Sequence, residues 1–363
     1  MKPFLFLLLG TLPLHAAGDE KNFLGEWRTR MRDIVPRSYV CPFAVSAPVI
    51  DGKLDVSAWA AAPWTADFVD IEGDAKPKPL YRARAKMLWD DTMLYFAAEM
   101  ASPHVWGTHT QHDAVIFEDP DLEVFIDPDG DSINYYEFEV NALNTGWDLF
   151  LPKPYKDGGK ADNSWSIPGL KTAVHIRGTL NKTNDIDEGW DVEIAIPWKV
   201  LAEHSRQAAP PAEGDQWRIG FSHVDWQVKI EDGKYVKLPN TREFNWIWSA
   251  QGIVDMHRPE RWGYVQFTRK AADTVPFVPD ATRPARDALQ EVYYAQKDFF
   301  TRNKRWADTP VELELKLATS PVLGDVALVK TGAGFDATVE LRLPGVPAQL
   351  WKISQDSMIA PVK

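Results

Sequence analysis

Between Ile116 and Phe150 two alternating runs flank an acidic turn, and this segment limits the possible fold more than any other part of the chain. Leu122, Val124 and Ile126 alternate with Glu123, Phe125 and Asp127, and Tyr136, Phe138 and Val140 alternate with Glu137, Glu139 and Asn141. A period of two sends successive side chains to opposite faces of a strand, so each run offers one apolar face to a core. The second face carries carboxylates, an amide and rings. The Asp-rich turn at 127–131 supplies the reversal, so the segment is predicted to be an antiparallel hairpin.

The same texture continues on both sides. Short alternating runs at Ala83–Leu88, Met93–Glu99, Trp147–Phe150, Lys171–Ile176, Trp190–Ile196, Trp217–Val224 and Trp262–Thr268 are separated by Gly, Pro, Asp and Asn. Many short strands at this spacing predict a mainly β fold, an antiparallel β-sandwich of jelly-roll type over residues 47–270. Short helices are expected at Val56–Ala61 and after Pro197, where Trp198–Leu201 has Pro at its first turn. Residues 19–46 read as a helix or linker, and 271–284 as a Pro-punctuated linker. Beyond it the period changes: Leu289, Val292, Gln296 and Phe299 stand at helical spacing, which predicts a helix over 285–303. Strand-like runs follow at Val311–Leu317, Ala337–Leu343 and Leu350–Ile353, so residues 285–363 form a small C-terminal α+β appendage of unassigned role, with docking of a protein partner as one expectation.

Lys2, the apolar run Phe4–Leu14 and the small residues Ala16, Ala17 and Gly18 have the pattern of a secretory signal peptide over 1–18, and predict export to a periplasmic or extracellular space. No stretch reaches the roughly 20 apolar residues that span a bilayer, so the protein is not expected to be membrane-embedded. Cys41, the one cysteine, can close no internal disulfide, and with 45% hydrophobic residues in 363 the chain has the apolar surface for a core instead. The formal charge of -12 repels phosphate backbones and argues against nucleic acid. Most of the 16 tryptophans are expected in the core, and the remainder where an apolar face meets a polar ligand.

Three motifs in order carry a family resemblance: Ile50-Asp51-Gly52-Lys53-Leu54-Asp55 with Trp59, Pro63 and Trp64; Leu88-Trp89-Asp90-Asp91 running into Leu94-Tyr95-Phe96; and Asp121-Leu122-Glu123-Val124-Phe125-Ile126-Asp127. Gly189 to Trp198 and Trp262 to Phe267 extend it. Over residues 48–268 the chain resembles the family 9 carbohydrate-binding modules. The resemblance implies a sandwich that clamps a terminal sugar between two tryptophans, bonds its hydroxyls with polar groups, and has loops stabilised by calcium. Glu123 falls at the family's sugar-bonding glutamate, Phe117 replaces the clamp tryptophan six residues earlier, and Glu139 falls at the sugar-binding arginine, reversing its charge. The second clamp ring is expected between Asn245 and Arg261, with Trp246, Trp248 and His257 as candidates.

Sugars present C–H faces that pack on rings and hydroxyl rims that need donors and acceptors. Trp106, in a polar loop and expected to be exposed, joins Phe117, Glu123, Glu139, Asn141, Trp147, Trp246 and His257 as candidate glycan contacts. Trp147 and Trp248 lie in alternating runs, which favours core packing for both over ligand contact. Asp127, Asp129 and Asp131 converge on one turn, an oxygen donor set suited to calcium, and Asp51 with Asp55 is similar. The expectation is non-catalytic glycan binding in polysaccharide recognition or catabolism. One alternative is a glycoside hydrolase using Glu123 with Glu139 or Asp148, although no HExxH, GxSxG or phosphate-loop motif occurs. Another is a haem-binding sandwich with Met100 opposed by Lys171, His223 or Met256.

Overall fold

The computed structural model describes residues 22–54 and 57–362; the leader expected at 1–18 and Asp55 lie outside them. Two sheets form the larger part. In one, Ser38–Pro42, Gly263–Thr268, Gln216–Asp225, Asp121–Asp127, Tyr135–Asn141 and Gly146–Leu151 lie side by side, with Phe244–Ile247 also paired to Gln216–Asp225 and bridging to Val69–Asp70. The other runs Ala83–Trp89, Met93–Ala101, Gly189–Pro197, Lys171–Arg177 and is antiparallel throughout. The alternation read from sequence sets the packing: Leu122, Val124, Ile126, Tyr136, Phe138 and Val140 all enter one core. Met87, Trp89, Phe96, Val192 and Ile194 of the second sheet meet them there. Truncating one such large ring to Ala costs ~3–5 kcal/mol. Trp89 also ties the edge, its Nε1 donating to Cys41 O at 3.1 Å and Thr268 O at 3.2 Å.

The N-terminal stretch is not a linker. Ser38–Pro42 pairs parallel with Gly263–Thr268, so the sandwich begins ahead of residue 47. Its five residues are buried at Tyr39, Cys41 and Pro42 without strict alternation, which hid the strand from a period-two reading. Upstream, Phe23–Glu26 and a wider helical turn at Trp27–Met31 place Trp27 and Met31 in the core of the C-terminal appendage.

That appendage is the helix Arg283–Asn303 laid on a four-stranded antiparallel sheet of Ala327–Lys330, Phe335–Leu341, Gln349–Ser354 and Ile359–Pro361. Leu289, Val292, Tyr293 and Phe299 pack on Phe335, Val339, Trp351 and Ile353. Val311–Leu317 is not a strand. Thr309 and Glu312 form a capping box that starts a 3-10 turn at Pro310–Leu313, and Glu314 ends it with a φ of 48°. The hairpin Val228–Glu231 with Lys234–Lys237 was also missed: its faces are mostly exposed, so it has no apolar period, although its Asp232-Gly233 turn is a hairpin signal.

Candidate functional site

The polar face of the Asp121–Asp127 and Tyr135–Asn141 hairpin forms the floor of an open cleft of about 570 Å³. Register puts Trp147, Glu139, Glu123 and Ser222 in one row across four strands, with Leu149, Glu137, Phe125 and Gly220 in another. A side chain at Gly220 would meet the ring of Trp262, which instead lies across the sheet and packs on Phe125 at a centroid distance of 5.3 Å. Glu123, Glu137 and Glu139 thus stand together in the cleft, although Glu123 is only 4% exposed and Glu137 3%.

Rings make the walls. Phe117 is 38% exposed, and its backbone N–H donates to Glu139 Oε2 at 3.0 Å, so the floor holds the wall in place. Trp226 Nε1 donates to Phe117 O at 3.1 Å from the other side. Trp147 lines the cleft half-buried, and its Nε1 has no hydrogen-bond partner among the described residues. Tyr155, 47% exposed, stands edge-on to His257 at 4.4 Å. His257 is held by the Tyr135 hydroxyl at Nδ1, 2.9 Å away, and burial pushes it down to about 4, so it is neutral at pH 7.

The floor is electrostatically unusual. Burial, with the charge of Glu243 adding to it, pushes Glu123 up to about 7. Burial and then the charge on Glu123 raise Glu137, Glu139 and Asp121 well above the ordinary carboxylate range. One oxygen each of Asp121, Glu123 and Glu137 has no hydrogen-bond partner among the described residues. The cleft is thus a ring-walled and acceptor-rich surface.

The structure brings Phe117, Glu123, Glu139, Trp147 and His257 to this one cleft and leaves three other candidates out of it. Trp106 is buried, contrary to the exposure expected of its loop. That loop folds down because Asp119 accepts from Thr108 N at 2.7 Å and His109 N at 2.9 Å. Trp246 points into the core, stacked on Phe244 at 5.2 Å; its neighbours Glu243 and Asn245 face the cleft instead. Asn141 spends its amide on the loop, accepting from Leu143 N and Thr145 N and donating to His109 O and Asp119 Oδ2, which leaves nothing for a ligand. Glu137 and Tyr155 were missed. Glu137 shares a face with Glu139 in the period-two pattern, so the signal was present, whereas Tyr155 sits in a loop that has no period.

The haem geometry does not form. Met100 is wholly buried in the inter-sheet core, Lys171 is exposed on an edge strand, and Met256 lines the cleft. His223 is buried beside Trp190 and Trp246, with Nδ1 2.6 Å from Asp121 O. The Asp127 turn already holds a guanidinium. Asp127 accepts from Gly130 N and Ser132 N, both at 2.9 Å, and Arg206 pairs with Asp129 at 3.1 Å and Asp131 at 2.6 Å. One oxygen from each of Asp127, Asp129 and Asp131 lies within 4.8 Å of the others, so the calcium expected there would have to compete with Arg206 for this donor set.

Two loops that wall the cleft are fastened by the appendage. Beside Tyr155, Lys156 and Asp157 are buried: Lys156 Nζ pairs with Glu260 at 2.8 Å, and Asp157 accepts from Tyr293 at 2.5 Å, Lys297 at 2.9 Å and Ser357 at 2.7 Å. Beside His257, Arg258 donates to the Tyr294 hydroxyl at 2.9 Å, and that hydroxyl donates to Glu260. Burial alone would raise Glu260, but Lys156 and Arg258 bring it down to about 2.

Comparison with known proteins agrees with this architecture. Residues 50–269 match the model of the "Carbohydrate family 9 binding domain-like" family. Over 159 residues the chain is 28% identical to the exoglucanase XynX of Acetivibrio thermocellus, covering 42% of this chain and 12% of that one. Over 150 residues it is 33% identical to endo-1,4-beta-xylanase C of Paenibacillus barcinonensis, covering 41% and 11%. The match thus spans about a ninth to an eighth of those relatives' length. Solved structures of a family 9 carbohydrate-binding module from Caldicellulosiruptor kristjanssonii, one with cellotriose and one with glucose, align over all of their own chains and 67% and 66% of this one, at 16% and 17% identity and TM-scores of 0.43 and 0.42. With more than half of its length matched, the chain belongs to the carbohydrate family 9 binding domain-like family.

Proposed function

We propose that the protein binds a glycan in the cleft between Phe117, Trp147 and Tyr155 and does not turn it over. The observation that carries this reading is the combination of three ring walls with a floor of three carboxylates in a family 9-like domain. Rings of this kind take the C–H face of a sugar, and buried acceptors fix the hydroxyl rim. Binding is favoured over hydrolysis because Glu123 and Glu139 are neighbours in one sheet, on one side of the space a glycosidic bond would occupy. Glycosidase carboxylates flank that bond.

The relatives are named for glucan and xylan chemistry, so glucose and xylose oligomers are the first probes. We further place the protein outside the cytoplasm, in keeping with the leader expected at 1–18; no helix among the described residues is long and apolar enough to cross a membrane. A protein partner of the appendage would meet exposed Val329 and Leu350 on its sheet, since the helix faces the sandwich. A calorimetric screen of the oligomers with a parallel sugar-release assay tests the reading. Saturable binding without release supports it, and released sugar moves hydrolysis to first place.

A further inference from the structure

The floor of the cleft gathers more acid groups than a neutral sugar calls for. Glu123, Glu137 and Glu139 all line it, with Asp121 beside Glu123 and Glu139: one oxygen from each of these three lies within 4.8 Å of the others. Among the described residues, no lysine or arginine forms an ion pair with any of the four. His257 approaches Glu137 no closer than 4.0 Å and is neutral. Arg242 lines the rim but is exposed and has no ion pair among the described residues, Lys237 is engaged over the ring of Trp226 at 3.5 Å, and Glu243 and Asp255 add further acid groups at the walls. Elsewhere some buried acids have cations, Glu260 with Lys156, Glu291 with Arg28 and Asp131 with Arg206, while others such as Glu193 and Asp119 are held by N–H donors instead.

The unpaired oxygens lie in the floor itself, just beneath the ligand space. Glu123 and Glu137 are each more than nine-tenths buried, both line the cleft, and Oε2 of each has no hydrogen-bond partner among the described residues. A buried carboxylate without a partner is costly, and a donor that also brings positive charge relieves that cost better than a hydroxyl does. We infer that the cleft selects a glycan whose sugar unit bears a protonated amine, with the ammonium on the Glu123, Glu137 and Glu139 floor and the ring faces on Phe117 and Tyr155. This rests on the glycan-binding reading of the cleft. The ammonium donates and cannot accept, which matches a floor made of acceptors. The raised carboxylates add a pH signature: below the range in which Glu123 ionises, near 7, the floor is protonated and the preference for the amine fades.

The test is calorimetry on the full chain at pH 7.5 with three trimers of one linkage: glucosamine, N-acetylglucosamine and glucose. The inference predicts that the glucosamine trimer binds at least tenfold tighter than the other two, weakens in high salt, and is insensitive to chelator. In the Glu137→Gln/Glu139→Gln variant the ratio between amine and neutral trimers should collapse towards one, at a melting temperature no lower than that of the wild type. Equal or tighter binding of the glucose or N-acetylated trimer overturns the inference and leaves the glycan reading standing. Binding of none of the three, nor of the glucose and xylose oligomers, overturns both. Loss of amine binding with chelator overturns it in favour of a metal on the floor. Unchanged amine binding in the double variant overturns it in favour of attraction to the net charge of -12.

Discussion

Glu123 and Glu139 stand directly opposite each other on neighbouring strands, both buried, and Glu139 also holds the backbone of Phe117, the ring at the cleft's edge. Charge on the floor and position of the wall are therefore coupled through one side chain.

The first consequence concerns pH and stability. A carboxylate raised on folding binds its proton more tightly in the native state, so its ionisation opposes folding. That cost is absent below the unfolded value, near 4.5, and grows as pH rises through the folded value; for Glu123, raised to about 7, it amounts to ~3 kcal/mol. Asp131 and Asp225, also raised to about 7 chiefly by burial, slope the same way. Glu123→Gln should match the wild type at pH 5 and exceed it in thermal stability at pH 8. A variant less stable at pH 8 than at pH 5, relative to wild type, would contradict this.

Removing Lys156 should be severe. Its ammonium is the main partner of buried Glu260, so Lys156→Met leaves that carboxylate with only Arg258 and the Tyr294 hydroxyl and should cost about 3 kcal/mol. Amide exchange should quicken in both cleft loops, 152–158 and 252–261, because Glu260 and Asp157 are where the appendage grips them. Quickening confined to one loop would mean the appendage does not couple them.

The Asp127 turn predicts a switch in metal response. Calcium or chelator should leave the melting temperature of the wild type unchanged, since Arg206 supplies the positive charge at Asp129 and Asp131. Arg206→Ala frees those oxygens and should make the melting temperature rise with added calcium. A calcium-dependent wild type would show that Arg206 yields its place.

Much of this was legible in the sequence where burial and period coincide. The hairpin faces were readable because Leu122, Val124 and Ile126 enter the core while Glu123 and Phe125 do not. Ser38–Pro42 and the exposed hairpin at 228–237 were not, since neither alternates. Within the cleft, strand residues Glu123, Glu139 and Trp147 could be placed by parity, as could Glu137 in retrospect. Loop residues could not: Trp106 is buried in a loop whose Val105 and Gly107 bond to Asp187 and Asn181, 82 and 74 residues on, and Tyr155 is aimed by an appendage more than a hundred residues away. Asn141 shows the remaining gap, because parity gives its face but not the four hydrogen bonds that use it up.

The central claim is that a sugar sits between the rings of this cleft. The most direct measurement is calorimetric titration of whichever oligomer binds the wild type into Tyr155→Ala and Phe117→Ala. Loss of a stacked ring is worth ~0.5–1.5 kcal/mol beyond its area, so affinity should fall about tenfold in each variant, with the melting temperature within a few degrees of wild type. Unchanged affinity in both variants, with the fold intact, would place the ligand elsewhere and contradict the account.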